Sequence, residues 1–192
     1  MINKNDWPKT KAMFNAWREK ENERALVAAF APGDPGSKLK YNMGSLSKED
    51  KALCWTDPEL IVKCEVESFE NIYFAGEAFP LISVNLGPAS MAGCYKNANY
   101  EFTDNSVWHY PSLDDIETES IILDKTQPIY KAMIEITKYA ADMSDGRYFI
   151  SVPDNAGILD ALASLRGSEN LLTDFIDNPR KVKAAAAKIQ QD

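Results

Sequence analysis

An α/β fold with parallel strands and crossover helices is what this sequence predicts, on three observations. Short apolar runs beginning near residues 24, 80 and 147 are hydrophobic almost continuously rather than alternately, the pattern of strands covered on both faces. Helical periodicities fall between them, so strands and helices alternate along the chain. Three strong strands are also too few to close a barrel, which needs about eight.

In order, Asp6-Trp7-Pro8 reads as a helix start, with Asp6 as N-cap and proline in the first turn. Apolar Met13, Phe14 and Trp17 follow. "RALVAAFAP" (24–32) is the first predicted strand, closed by Pro-Gly-Asp-Pro-Gly, and "GSKLKYNMGSLSKED" reads as an exposed loop. Asp57-Pro58 opens a helix carrying Leu60, Ile61, Cys64 and Phe69, which ends near "YFAGEAFP". The second strand is 81–85. The small residues of "PASMAGCYKN" suit a short helix packed closely on the sheet. "NYEFTDNSVWHYP" reads as a hairpin excursion around 98–110, with Asp104-Asn105 at its turn. Thr126 to Met143 is the clearest helix, with Ile129, Met133, Ile136, Ala140 and Met143 on one stripe. Asp145-Gly146 stops it. "RYFISVPDNAG" is the third strand, and helices over 158–165, 171–176 and from Asn178-Pro179 onward complete the chain.

The 192 residues suffice for one domain with a real core. A net charge of −8 argues against nucleic acid or an anionic membrane surface as partner. No stretch has the length and apolarity of a membrane span, and the N-terminus lacks the apolar region of a secretory signal. Three cysteines, Cys54, Cys64 and Cys94, show no metal-like spacing. Reduced thiols and a cytoplasmic location are expected.

In parallel α/β folds, ligands sit beyond the carboxyl ends of the strands. The three strands end in Ala31-Pro32-Gly33, Asn85-Leu86-Gly87-Pro88 and Pro153-Asp154-Asn155. Asn85, Asp154 and Asn155 are therefore substrate-binding candidates, set against the plainer reading that Asx residues at turns bond local backbone. Arg166 is an anion-clamp candidate, set against the common role of a cation at a helix C-terminus. His109 could act as a base, but the sequence names no partner for it, and a packed or surface histidine is the favoured reading. Cys94 has no neighbour that would stabilise a thiolate.

Three segments, "WTDPELIVKCEVESFENIYFAGEAFPLISVNLGPASMAG", "NSVWHYPSLDD" and "DGRYFISVPDNAGILDALASLRGSENLLTDFIDNPRKV", occur in this order between Trp55 and Val182. They resemble the uroporphyrinogen decarboxylase superfamily, in its decarboxylase-like and corrinoid methyltransferase-related branch. The most specific piece is D-x-L-A-x-L-R-G-x-E-x-L-L-x-D, Asp160 to Asp174. The resemblance implies a (β/α)8 TIM barrel with its site at the C-terminal mouth. It implies further that this chain is the N-terminal half, a partial barrel.

Decarboxylases of the family carry an aspartate near the place Asn85 occupies, facing the substrate's pyrrole nitrogens. They also carry an arginine-rich stretch after the first strand, where this chain has "APGDPGSKLK", with Lys38 and Lys40. An amide holds no negative charge for a pyrrolium-like intermediate. Corrinoid-linked methyl transfer on a small molecule is therefore the expected activity, and tetrapyrrole decarboxylation the alternative. The family's methyltransferases bind zinc through a His-x-Cys pair and a distant cysteine in the second half of the barrel. His109 is followed by Tyr110-Pro111, so no cofactor is assigned within this chain, and zinc or a corrinoid partner protein belongs to the complete enzyme. A third expectation is a truncated, non-catalytic fragment. A half-barrel exposes a sheet edge and an apolar face, so it would self-associate or recruit its missing half.

Overall fold

The computed structural model describes residues 1–33, 47–153 and 157–192. Helix α1 (Trp7–Glu19) begins where Pro8 predicts it, but Asp6 makes no side-chain capping bond. Its carboxylate instead lies 2.9 Å from the Lys4 ammonium. Lys4 is buried and donates to the Gly76 carbonyl at 2.5 Å, which fastens the N-terminal segment to the next sheet.

Strand β1 (Ala28–Pro32) differs from expectation in two ways. Every residue of it is exposed, and it pairs antiparallel with β2 (Ile72–Gly76), with Phe30 opposite Phe74. The apolar run that suggested a doubly covered strand is largely alanine, whose methyl group buries little area. The partner strand lies in "IYFAG", where the sequence places the end of the helix begun at Asp57-Pro58.

The corner between the two strands is closed by buried Glu77. Its carboxylate accepts from both Arg24 Nη nitrogens, at 2.6 and 2.9 Å, and from the Val27 N–H at 2.8 Å. These bonds, Arg24 first and Val27 second, hold the Glu77 carboxyl at about 2, below its ordinary 4.5. A depressed folded pKa stabilises the fold above the unfolded value and withdraws that stability as protons bind. Urea midpoints measured across a pH series should therefore fall between about pH 4.5 and about 2, and the slope in that window should flatten in Glu77→Gln.

Helix α2 (Lys48–Thr56) begins at the end of the segment read as loop and runs beyond it. Ser47 caps it by accepting from the Asp50 N–H at 3.1 Å. Helix α3 (Pro58–Glu70) starts as predicted, with the Asp57 carboxylate accepting from the Leu60 N–H at 2.8 Å. Strand β3 (Leu81–Ile82) follows, then a 3-10 turn over Ser90–Cys94. Gly93 in that turn packs so closely that a Cβ there would meet the Ile129 side chain at 2.4 Å. The hairpin forms as expected from β4 (Asn99–Phe102) and β5 (Val107–Tyr110).

Helix α4 (Pro128–Ser144) buries Ile129, Ala132, Ile136 and Ala140, while Met143 is exposed. Strand β6 (Phe149–Ile150) runs parallel to β3, with Leu81 opposite Phe149 and Ile82 opposite Ile150. Helices α5 (Ile158–Arg166), α6 (Ser168–Asp177) and α7 (Pro179–Gln191) end the chain.

The fold is thus mixed α/β, with a parallel pair and helices packed against it, and the described residues form no closed barrel. Among the described residues the sheets are three two-stranded pairs. The first predicted strand belongs to a different sheet from the other two, so the structure brings two strand ends together rather than three. Tyr95, Ile116, Leu162 and Ile189 anchor a core among the C-terminal helices. Val84, Leu86, Ile129 and Ile136 form another, between β3 and α4.

Candidate functional site at the end of the parallel strands

Two ladder bonds define the parallel pair. The Phe149 N–H donates to the Pro80 carbonyl at 3.0 Å, and the Ser151 N–H to the Ile82 carbonyl at 2.9 Å. Beyond β3 the side chains alternate. Val84 and Leu86 are buried against α4, while Ser83 and Asn85 are exposed. The Ser83 and Ser151 hydroxyls lie 3.5 Å apart, so both chains leave the pair on a common side.

Asn85 both makes a turn and lines a cavity. Its Oδ1 accepts from the Gly87 N–H at 2.8 Å, closing an Asx turn that Gly87 completes at φ +87°. Its Nδ2 makes no hydrogen bond among the described residues. The cavity it borders is about 270 Å³ and is also lined by Cys54 and Trp55 of α2, Glu65 of α3, Ser83 and Ile136 of α4.

Glu65 is the titratable group that sequence reasoning passed over. It is half-buried, and its carboxyl makes no hydrogen bond or ion pair among the described residues. Burial pushes its pKa above the usual carboxylate value. The signal was present, because Ile61, Glu65 and Phe69 stand four residues apart, which places an acid on the apolar stripe of α3. Burial, and secondarily nearby Cys64, also pushes the Cys54 thiol up, so the thiol stays protonated at neutral pH. The Trp55 indole N–H donates to the Thr103 carbonyl at 2.8 Å. A cavity that combines a perturbed carboxyl with few polar groups and an aromatic wall has the make-up of a small-molecule site.

The other sequence candidates fall elsewhere. Asp154 and Asn155 lie outside the described residues, as do Lys38 and Lys40. Arg166 lines neither this cavity nor the larger one below. Its Nε donates to buried Asp174 at 2.7 Å, and an Nη donates to the carbonyls of Leu113 at 3.3 Å and Asp114 at 2.9 Å. The guanidinium therefore ties α5 to α6 and to the segment before α4. Cys94 is buried, and burial pushes its thiol up to about 12.

A second cavity, about 590 Å³, separates β5 from α5 and is bordered by Pro88, Trp108, His109, Asp160, Ser164 and Ser168. The His109 Nε2 is shut off from solvent and has no hydrogen-bond partner among the described residues. Burial lowers its pKa, so the imidazole is neutral at pH 7. Asp160 is committed to the start of α5, where it accepts from the Gly157 N–H at 3.1 Å.

No three His, Cys, Asp or Glu side chains converge to hold an ion among the described residues. No helix is long and apolar enough to cross a membrane among the described residues. No protein-family model, curated protein or solved structure matches the chain.

Proposed function

We propose that this chain is part of a uroporphyrinogen-decarboxylase-like barrel enzyme that takes a small molecule at the carboxyl end of its parallel strands. Corrinoid-linked methyl transfer is the proposed reaction, with a corrinoid protein as partner. The observation that supports the reading is the parallel β3–β6 pair, with Asn85 at its carboxyl end on a cavity.

Tetrapyrrole decarboxylation has less support. Its substrate carries several carboxylates, and neither cavity is lined by a Lys or Arg among the described residues. The Asn85 oxygen is also already taken by the Gly87 N–H. A non-catalytic, self-associating piece remains the second reading, favoured by solvent-facing Phe30, Tyr73, Leu81, Phe149 and Val152 on or beside the strands.

The test is methyl transfer from small methylated compounds to free reduced cobalamin, followed by visible spectroscopy, with uroporphyrinogen assayed in parallel for CO₂ release. Chain-dependent methyl transfer, lowered about tenfold or more in Asn85→Ala through loss of substrate positioning, is the expected result. CO₂ release without methyl transfer would overturn it in favour of decarboxylation. Silence in both assays, with a dimer by sizing, would overturn it in favour of the self-associating piece.

A further inference from the structure

Among the described residues, the cavity at the end of β3 holds an acid with nothing to neutralise it. Glu65 has no cation and no N–H or O–H donor among the described residues. An unpaired carboxylate in a partly dry site is costly, and the cost is relieved by a proton or by a positive ligand. The walls favour the ligand. Trp55 has its N–H engaged with the Thr103 carbonyl, so the indole can offer a visitor only its ring. Ile136 adds an alkyl surface, and among the described residues no Lys or Arg lines the space to compete for the acid. A carboxylate and an indole around a space lacking its own cation are the parts that recognise alkylammonium ions. A volume of about 270 Å³ falls just under the range of about 300–1,000 Å³ for drug-sized ligands, which selects a compact ion.

We infer that this cavity binds a small alkylammonium ion, with Glu65 as its counter-charge and Trp55 as its aromatic wall. The inference deepens the proposed function by naming the ligand class of the same site. It rests on that reading for location only. The ion is recognised by charge and shape, with no covalent step.

Glu65 is faced by few other charges. Among the described residues Cys54 on α2 is the other titratable group lining the cavity, α4 contributes Ile136, and the end of β3 contributes the uncharged Ser83 and Asn85. Only the ionised carboxyl pairs with an ammonium ion, so affinity should rise with pH through the elevated Glu65 titration and then level off.

The experiment is calorimetric titration of the 192-residue chain with tetramethylammonium chloride, and with neopentyl alcohol as an uncharged probe of similar shape. Ionic strength is held constant, because salt screens the pair. Binding of the ammonium probe that strengthens with pH, and that weakens at least about tenfold in Glu65→Gln, is expected. Glu65→Gln keeps the side-chain shape and removes a half-buried charge unpaired among the described residues, so its thermal midpoint should not fall. Preference for the alcohol, affinity that drops as pH rises, or no binding of either probe would each overturn the inference. None of these outcomes bears on methyl transfer, which the cobalamin assay reads separately.

Discussion

Arg166→Ala should lower stability by about 3–5 kcal/mol, because it strands a buried charge. The side chains of Arg166 and Asp174 are only 14% and 5% exposed. Removing the guanidinium leaves the Asp174 carboxylate with Asn178 as its remaining side-chain partner, at 3.1 Å, and deprives the Leu113 and Asp114 carbonyls of their donor. The pair sits between α5 and α6, so the damage reaches the C-terminal helical core rather than the parallel strands.

A second readout separates charge from shape. In the native chain the Arg166 hydrogen bond, followed by that of Asn178 against the opposing effect of burial, holds the Asp174 carboxyl below its ordinary value. Its stabilisation is present above pH of about 4 and is lost as pH falls further. In Arg166→Ala, desolvation acts with little opposition, so the carboxyl titrates higher and acid should partly rescue the variant. Chemical denaturation at pH 7 and pH 5 measures both effects. The double variant Arg166→Met with Asp174→Leu should recover much of the loss, as apolar replacements of buried pairs do. An Arg166→Ala chain as stable as the parent would show that the pair is not buried in solution.

Gly87→Ala should cost about 2–4 kcal/mol, the sum of a left-handed backbone and an overpacked contact. Gly87 has φ +87°, and a Cβ there would sit 2.9 Å from both the backbone nitrogen and the Cβ of Val107. Neither atom is the free end of a flexible side chain. Gly146 supplies the internal control, since its φ is +67° and a Cβ there meets nothing within 4 Å. Gly146→Ala should therefore cost only the backbone strain, about 1–2 kcal/mol. Equal losses at the two positions would mean that the close approach of the β3 segment to β5 is absent. The Gly87 variant should also weaken ligand binding at the strand end, because the turn that places Asn85 takes its hydrogen bond from the Gly87 N–H.

Helices α3, α4 and α7 and the β4–β5 hairpin were legible in the sequence because their signals are local. Asp57-Pro58 and Asn178-Pro179 start helices, Asp104-Asn105 turns a chain, and the spacing of Ile129, Ile136 and Ala140 admits one period. The misreadings share a cause in weak side chains. The first apolar run owes its continuity to alanine, which marks neither face, so sequence could not say that its partner would be antiparallel β2. Helix α2 buries none of its residues, and its stripe was too faint to stand out from the polar loop, although Ser47 and Asp50 have capping-box spacing.

Of the candidate site, Asn85 was legible because the end of a parallel strand is a topological place. Glu65 was not, because an acid on a helix reads as solvated until its neighbours are known. For Arg166, sequence posed a choice between a clamp and a helix-end cation. The long-range partner Asp174 was visible only as one more polar residue in a motif.

The parallel pair is two residues long on each strand, too short for its ladder to hold the mouth in shape. That task falls to α4, and Ile136 belongs at once to the packed interior and to the cavity wall. Pocket volume and folding free energy are therefore coupled through one side chain. A lineage that trimmed Ile136 to admit a bulkier guest would weaken its own scaffold, and would have to find compensation along the same helix before the wider specificity could persist.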